Sequence, residues 1–198
     1  MKILAFSDLH LNTAARDAIL AAAQEADVII GAGDFAQRRE GLESFMTGLS
    51  AIDGKAIYVA GNNETVAELK AVTGAPVLHG DAVDRDDITF AGIGCAVPPL
   101  PPLPWGSADL TEDQARALFD RISHADVLIS HSPPKGVADT HSKGGQIGSV
   151  AVREAAERLQ PRLLLCGHVH DCWGVSGMIG ATRVHNLGPS PTWFEVHA

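Results

Sequence analysis

Covalent cross-links have little to work with in this 198-residue sequence. Its three cysteines are too few and too irregularly spaced for a disulfide framework. Cys95, Cys166 and Cys172 form no CxxC pair, which argues against a structural zinc knuckle, and a reducing cytoplasm is the compartment expected. Cys166 reads as a space-filling strand residue. Cys172, two residues beyond His170, reads as a thiol within reach of oxidants. Positive charge is scarce too: 15 Lys and Arg stand against 24 Asp and Glu, a net charge of −9. Holding DNA or RNA by phosphate neutralisation needs a basic face, and the one basic doublet here is Arg38-Arg39, so nucleic acid is not the expected partner.

Long apolar runs are also missing. No stretch approaches the ~20 residues that span a bilayer. The N-terminal run Met1–Phe6 stops at Ser7-Asp8, too short for a signal-peptide core, so a soluble, unexported chain is expected. Neither an internal repeat nor a heptad pattern nor a low-complexity tail is present. The 45% hydrophobic and 20% charged residues suit one globular domain, 1–198, with a substantial core.

Short buried strands punctuated by polar groups dominate what remains. Leu163-Leu164-Leu165-Cys166 is one, broken by Gly167 and followed by His168 and His170. In extended backbone, residues two apart face the same side, so both imidazoles can serve one metal ion or two adjacent ones. A lone HxH reads equally well as a surface turn; the other strand ends shift the balance. Ile3–Phe6 ends in Asp8 and His10, and Asp27–Ile30 in Gly33-Asp34. Ala56–Val59 ends in Gly61-Asn62-Asn63, and Asp126–Ile129 in His131.

Helices are expected between them: Thr13–Glu25 with Asn12 or Thr13 as N-cap, Arg39–Ala51, and Thr65–Val72. Two more are Thr111–Ser123, opened by a capping box, and Ser149–Leu159. Val77-Leu78 and Ile88–Ala91 read as further strands. Segments 174–178, 182–186 and 193–196 read as closing antiparallel strands. Alternating strands and helices predict an α/β fold on a βαβ framework. The five prolines between Pro98 and Pro104 make a loop within the domain and a candidate rim of the cleft.

Ligands of open α/β sheets gather at the carboxyl ends of strands, so Asp8, His10, Asp34, Asn62, His131, His168 and His170 should converge. This mixture of imidazole, carboxylate and amide oxygen suits Mn, Fe or Zn better than Ca or Mg. Seven ligands exceed one four-coordinate ion. Two metals are therefore implied, with Asp34 the natural bridge, an arrangement that makes a nucleophile of water for attack at phosphorus.

The order Asp8-x-His10, Gly33-Asp34, Gly61-Asn62, His131, Gly167-His168-x-His170 resembles the calcineurin-like metallophosphoesterases, from residue 3 to about residue 188. His131-Ser132-Pro133-Pro134 with Gly144, Gly145 and the final motif is similar to the phosphodiesterase branch. The resemblance implies a four-layer αββα sandwich of two mixed sheets flanked by helices, with a dinuclear metal site at the strand C-terminal ends. One metal would take Asp8, His10, Asp34 and His170; the other Asp34, Asn62, His131 and His168. Two divalent cations (Mn, Fe, Zn or Ni, with Mn favoured) are the implied cofactors. Asp34, Asn62 and Asn63 are the implied catalytic residues.

One position departs from the family. Asn63 stands where a histidine commonly serves the leaving oxygen. Asparagine can donate a hydrogen bond to phosphate but cannot supply a proton, so poor leaving groups should suffer most. The expected function is phosphodiester hydrolysis by a metal-bridging hydroxide on a small phosphoester. The alternatives are a catalytically weak or inactive protein-binding scaffold of the same fold, or a phosphomonoesterase or protein phosphatase. Asn63 argues weakly for the scaffold, and complete ligands argue against it. His79, His124, His185 and His197 read as surface or packing residues, and His141 as a solvated loop histidine. Trp105 reads as a loop anchor, with nucleobase stacking the sharper alternative. An exposed β edge or the loop from Pro98 to Trp105 could serve a homodimer.

Overall fold

The computed structural model describes residues 1–197. The strands are β1 (Lys2–Phe6), β2 (Val28–Gly31), β3 (Ala56–Tyr58), β4 (Asp81–Arg85), β5 (Ile88–Ile93), β6 (Val127–Ser130), β7 (Leu163–Cys166), β8 (Ser176–Ile179), β9 (Thr182–Asn186) and β10 (Thr192–Glu195). The helices are α1 (Thr13–Ala22), α2 (Leu42–Thr47), α3 (Val66–Val72), α4 (Glu112–Phe119) and α5 (Val150–Leu159). Two mixed sheets form, in the orders β10-β1-β2-β3 and β4-β5-β6-β7-β9-β8.

Strand side chains alternate between faces, and here both faces are apolar because both are covered. In β1, Leu4 and Phe6 pack with Ile19, Phe45, Met46 and Leu69 under α1 to α3. Ile3 and Ala5 face the other way, into a layer shared with Phe90, Val127, Ile129, Leu163 and Leu165 of the second sheet. Leu128, Leu164 and Cys166 point on into a third layer with Ala115, Phe119, Val152 and Ala156 of α4 and α5. Three apolar layers thus separate four layers of structure, the expected αββα sandwich. No helix among the described residues is long and apolar enough to cross a membrane.

Several boundaries differ from the sequence reading. The helix expected from Arg39 begins only at Leu42, because Arg38, Arg39 and Gly41 all take positive φ (52°, 69° and 77°) and turn the chain first. The helix expected to reach Ser123 ends at Phe119, and α1 tightens into a 3-10 turn over Ala23–Glu25. Asn12 is the α1 cap, its side chain accepting from Ala15 N–H at 3.0 Å. Strand β4 leaves no mark in the sequence because Asp-Ala-Val-Asp-Arg has no apolar run; it is an edge strand carrying charge outward. The closing strands are not all antiparallel to their neighbours. β9 lies parallel to β7, β8 pairs antiparallel on its far side, and β10 crosses to the first sheet against β1. Cys172 is 4% exposed, its thiol donating to the Thr140 carbonyl, so it is not the accessible thiol expected.

Candidate metal centre

The turns after β1, β2 and β7 share one backbone feature: Asp8, His10, Asp34 and His168 all hold positive φ (55°, 44°, 60° and 68°). Non-glycine residues reach that region at a cost, and such residues cluster at functional sites. His168 is therefore not extended, and His170 opens a 3-10 turn. The two histidines do not share a strand face as their i, i+2 spacing suggested. They part, one to each of two neighbouring groups.

Ligand atoms of Asp8, His10 and His170 lie within 4.8 Å of one another, and so do those of Asp34, His131 and His168. Asp34 Oδ2 stands between the groups, 3.6 Å from His10 Nε2 and 3.5 Å from His131 Nε2. Asn62 Oδ1 joins the second group, 3.2 Å from His131 Nε2 and 3.1 Å from His168 Nδ1. The His10 and His170 Nε2 atoms face each other at 3.2 Å. All seven residues singled out by the strand-end pattern thus meet in one place.

Neighbouring groups hold these side chains in position. His131 Nδ1 lies 2.8 Å from the Ala32 carbonyl, which can only accept, so Nδ1 carries the proton and Nε2 faces Asp34. Asp8 accepts from His168 N–H at 3.1 Å, from Trp173 Nε1 at 3.1 Å and from the Ser7 hydroxyl. Asp34 Oδ1 accepts from Asn63 N–H and Oδ2 from Asn63 Nδ2, both at 2.8 Å. The Asn63 carbonyl oxygen Oδ1 accepts from Arg38 N–H at 2.7 Å. Gly61 must be glycine for its closeness alone, since a Cβ there would fall on the Asp34 carboxylate and backbone nitrogen.

Burial by itself would raise the Asp34 carboxyl, but His131, His10 and the Asn63 N–H hold it far below the carboxylate range. Burial would likewise lower His131, yet Asp34 and Asp8 carry it up to about 9. His168, buried and beside His131, falls to about 4. The site therefore favours positive charge at the His131 side while keeping His168 neutral and able to donate a lone pair. His10 Nδ1 is buried with no hydrogen-bond partner among the described residues. Convergent carboxylates, neutral imidazole and amide oxygen fit divalent transition cations, and the donor set lacks thiolate.

Sequence reasoning missed three supporting residues. Fully buried Glu64 accepts from Gly61, Asp34 and Ala36 N–H groups at 2.7, 2.8 and 3.0 Å, tying the β2 and β3 turns together. Burial first, then Asp34, push its carboxyl up to about 7. Trp173, besides bonding Asp8, stacks on His170 at 4.4 Å. Asn186 Nδ2 donates to the carbonyls of Ala138, Gly167 and Val169. Glu64 had a signal, being a carboxylate inside the third strand-end turn; Trp173 and Asn186 had none. His141 stays in its loop, its Nδ1 accepting from Lys143 N–H at 3.0 Å.

The model of the calcineurin-like phosphoesterase superfamily domain matches residues 1–194. A Caenorhabditis elegans protein, UPF0046 protein K07C11.7, is 28% identical over 174 residues, covering 76% of this chain. The matched stretch spans 59% of the worm protein, less than two thirds of its length. Among solved structures, TT1561 of Thermus thermophilus superposes with a TM-score of 0.70 at 18% identity, over 94% of this chain and 88% of that one. The phosphopantetheinyl hydrolase PptH of Mycobacterium tuberculosis gives 0.61 at 14% identity, over 95% and 90%. A dimetal phosphatase from Danio rerio gives 0.57 at 14% identity, over 97% and 88%. At these identities the structures show a shared fold.

Proposed function

The chain belongs to the calcineurin-like phosphoesterase superfamily, and from that premise we propose that it is a metal-dependent phosphoesterase that cleaves small phosphodiesters. The observation that carries this reading is the Asp34 carboxylate, set between two ligand groups with Oδ2 about equally far from His10 and His131. Asp8, His10, His170 and Asp34 would hold one divalent cation; Asp34, Asn62, His131 and His168 a second. Mn is the favoured metal and the cytoplasm the proposed compartment. When bound, such a pair supplies an activated water near neutral pH and positive charge for the phosphate oxygens.

The chain's own residues account for the rest. The Ala32 carbonyl fixes the His131 tautomer, and Ser7, Trp173 and the His168 N–H fix Asp8. Asn63 keeps Asp34 turned inward and retains one amide hydrogen for a phosphate oxygen. It cannot protonate a departing alkoxide, so the leaving group must depart as a weak base or take its proton from water.

The test is hydrolysis of bis-p-nitrophenyl phosphate by EDTA-stripped protein, before and after Mn²⁺, with Asp34→Ala alongside. p-Nitrophenolate leaves without a proton, which isolates the metal-dependent step from the Asn63 question. Activity restored by Mn²⁺ and lost in Asp34→Ala is expected. No activity with two metals measurably bound would overturn the proposal.

A further inference from the structure

A cleft of about 770 Å³ opens between the 37–40 turn and the proline loop, lined by Gln37, Arg38, Glu40, Leu103, Pro104 and Trp105. Both walls are tied to the Asn62-Asn63 turn. On one side, Arg38 N–H donates to Asn63 Oδ1 at 2.7 Å and Arg39 N–H to the Asn63 carbonyl at 3.0 Å. On the other, Asn62 Nδ2 donates to Ser107 Oγ and Ala108 N–H to the Asn62 carbonyl, both at 3.0 Å. Arg39 straps the two walls together, donating to the Gly106 carbonyl at 3.1 Å and to Glu68 at 2.6 Å. The cleft is therefore built onto the same turn that presents Asn62 to the metal groups.

Arg38 and Arg39 differ in what their guanidinium groups do. Arg39 is spent on the strap. Arg38 is exposed, and among the described residues its guanidinium has neither an ion-pair nor a hydrogen-bond partner. Both sit at positive φ, which presents Arg38 to the cleft at a conformational cost that no contact of its side chain offsets. In a chain of net charge −9, a free cation lining a cleft whose backbone is bonded to the Asn62-Asn63 turn matches a phosphate oxygen. Trp105 offers an aromatic surface. Glu40 on the same wall disfavours a second phosphate and suits a hydroxyl or amino group instead.

Building on the phosphoesterase reading, we propose that this cleft is the subsite for the organic group of the substrate. It takes a planar, uncharged group of nucleobase or aryl type stacked on Trp105, with Arg38 on the phosphate that carries it. The substrate class is thus an aromatic or nucleoside phosphoester, rather than an aliphatic or lipid one.

The test is isothermal titration of Mn²⁺-loaded full chain with adenosine 5′-monophosphate and with methyl phosphate, run beside bis-p-nitrophenyl phosphate turnover. Wild type is expected to bind the nucleotide at least about tenfold tighter, the scale of one stacked base. Trp105→Ala should bring the ratio of the two affinities near one. Arg38→Ala should weaken both ligands about tenfold, with partial recovery in Arg38→Lys. Equal affinities in wild type, or a ratio that survives Trp105→Ala, would overturn the subsite while hydrolysis still stands. Absent hydrolysis with metals bound would overturn the underlying reading instead.

Discussion

Asn63 grips Asp34 with two hydrogen bonds, its backbone N–H to Oδ1 and its side-chain amide to Oδ2, each 2.8 Å long. The residue that stands where a proton donor is common in the family thus works on the carboxylate between the two ligand groups. Asn63→His restores a donor that can also give up a proton. Its turnover of diesters with alkyl leaving groups should rise by as much as ~10²–10⁴-fold, and that of p-nitrophenyl esters far less. Steady-state kinetics on the two substrate types check this. An equal change on both would show that proton supply does not limit the wild-type chain.

Metal loading should stabilise the fold, because Asp8 and Asp34 are each only 2% exposed and crowd buried imidazoles. A cation at a hundred times its Kd adds about 2.7 kcal/mol. For a chain this size each kcal/mol moves Tm by about 2–4 °C, so Mn²⁺ should raise Tm by roughly 5–10 °C over EDTA-treated protein. The increment, rather than the absolute Tm, should vanish in Asp34→Ala. Differential scanning fluorimetry with and without EDTA reads it directly.

What could be read in advance followed burial. β1, β2, β6 and β7 are covered on both faces, so each is a plain apolar run whose polar stop marks a strand end, and the site could be assembled from those stops. Where burial is one-sided or absent, the signal fails. Charged β4 leaves none, and the expected helix start at Arg39 falls instead in a turn, because arginine gives no sign of positive φ. Trp173 reaches Asp8 across 165 positions, a contact that only the finished topology creates.

A stability effect independent of the site is expected at Glu112. Its carboxylate accepts from the Ser149 hydroxyl at 2.8 Å and from the N–H groups of Val150 and Ala151 at 2.9 and 2.8 Å. It thereby joins the start of α4 to the first turn of α5, where the helix dipole favours an anion. Glu112→Ala strands these donors and should cost about 2 kcal/mol. Urea denaturation should show the loss, while Mn²⁺-dependent turnover per folded molecule stays at the wild-type value.

The pH dependence of stability should report on His185, a residue outside the site. His185 is 8% exposed, and its ring meets the Phe194 ring edge-on at 5.2 Å and is hydrogen-bonded through Nδ1 to the Ser176 hydroxyl. Burial first, and then the positive charge of Arg183, hold its pKa below the ordinary histidine value. The folded chain therefore keeps His185 neutral at a pH where the unfolded chain has taken up a proton. Its contribution is complete above about pH 6.5 and is lost as the pH falls from there towards the depressed folded value. His185→Phe keeps an aromatic ring against Phe194 and removes the titration. Urea midpoints at about pH 7.5 and 5.5 bracket the ordinary histidine value, and the fall between them should be smaller in the variant than in wild type. An equal fall in both would place the acid sensitivity in other groups, since the Phe194 contact is all that the two side chains share.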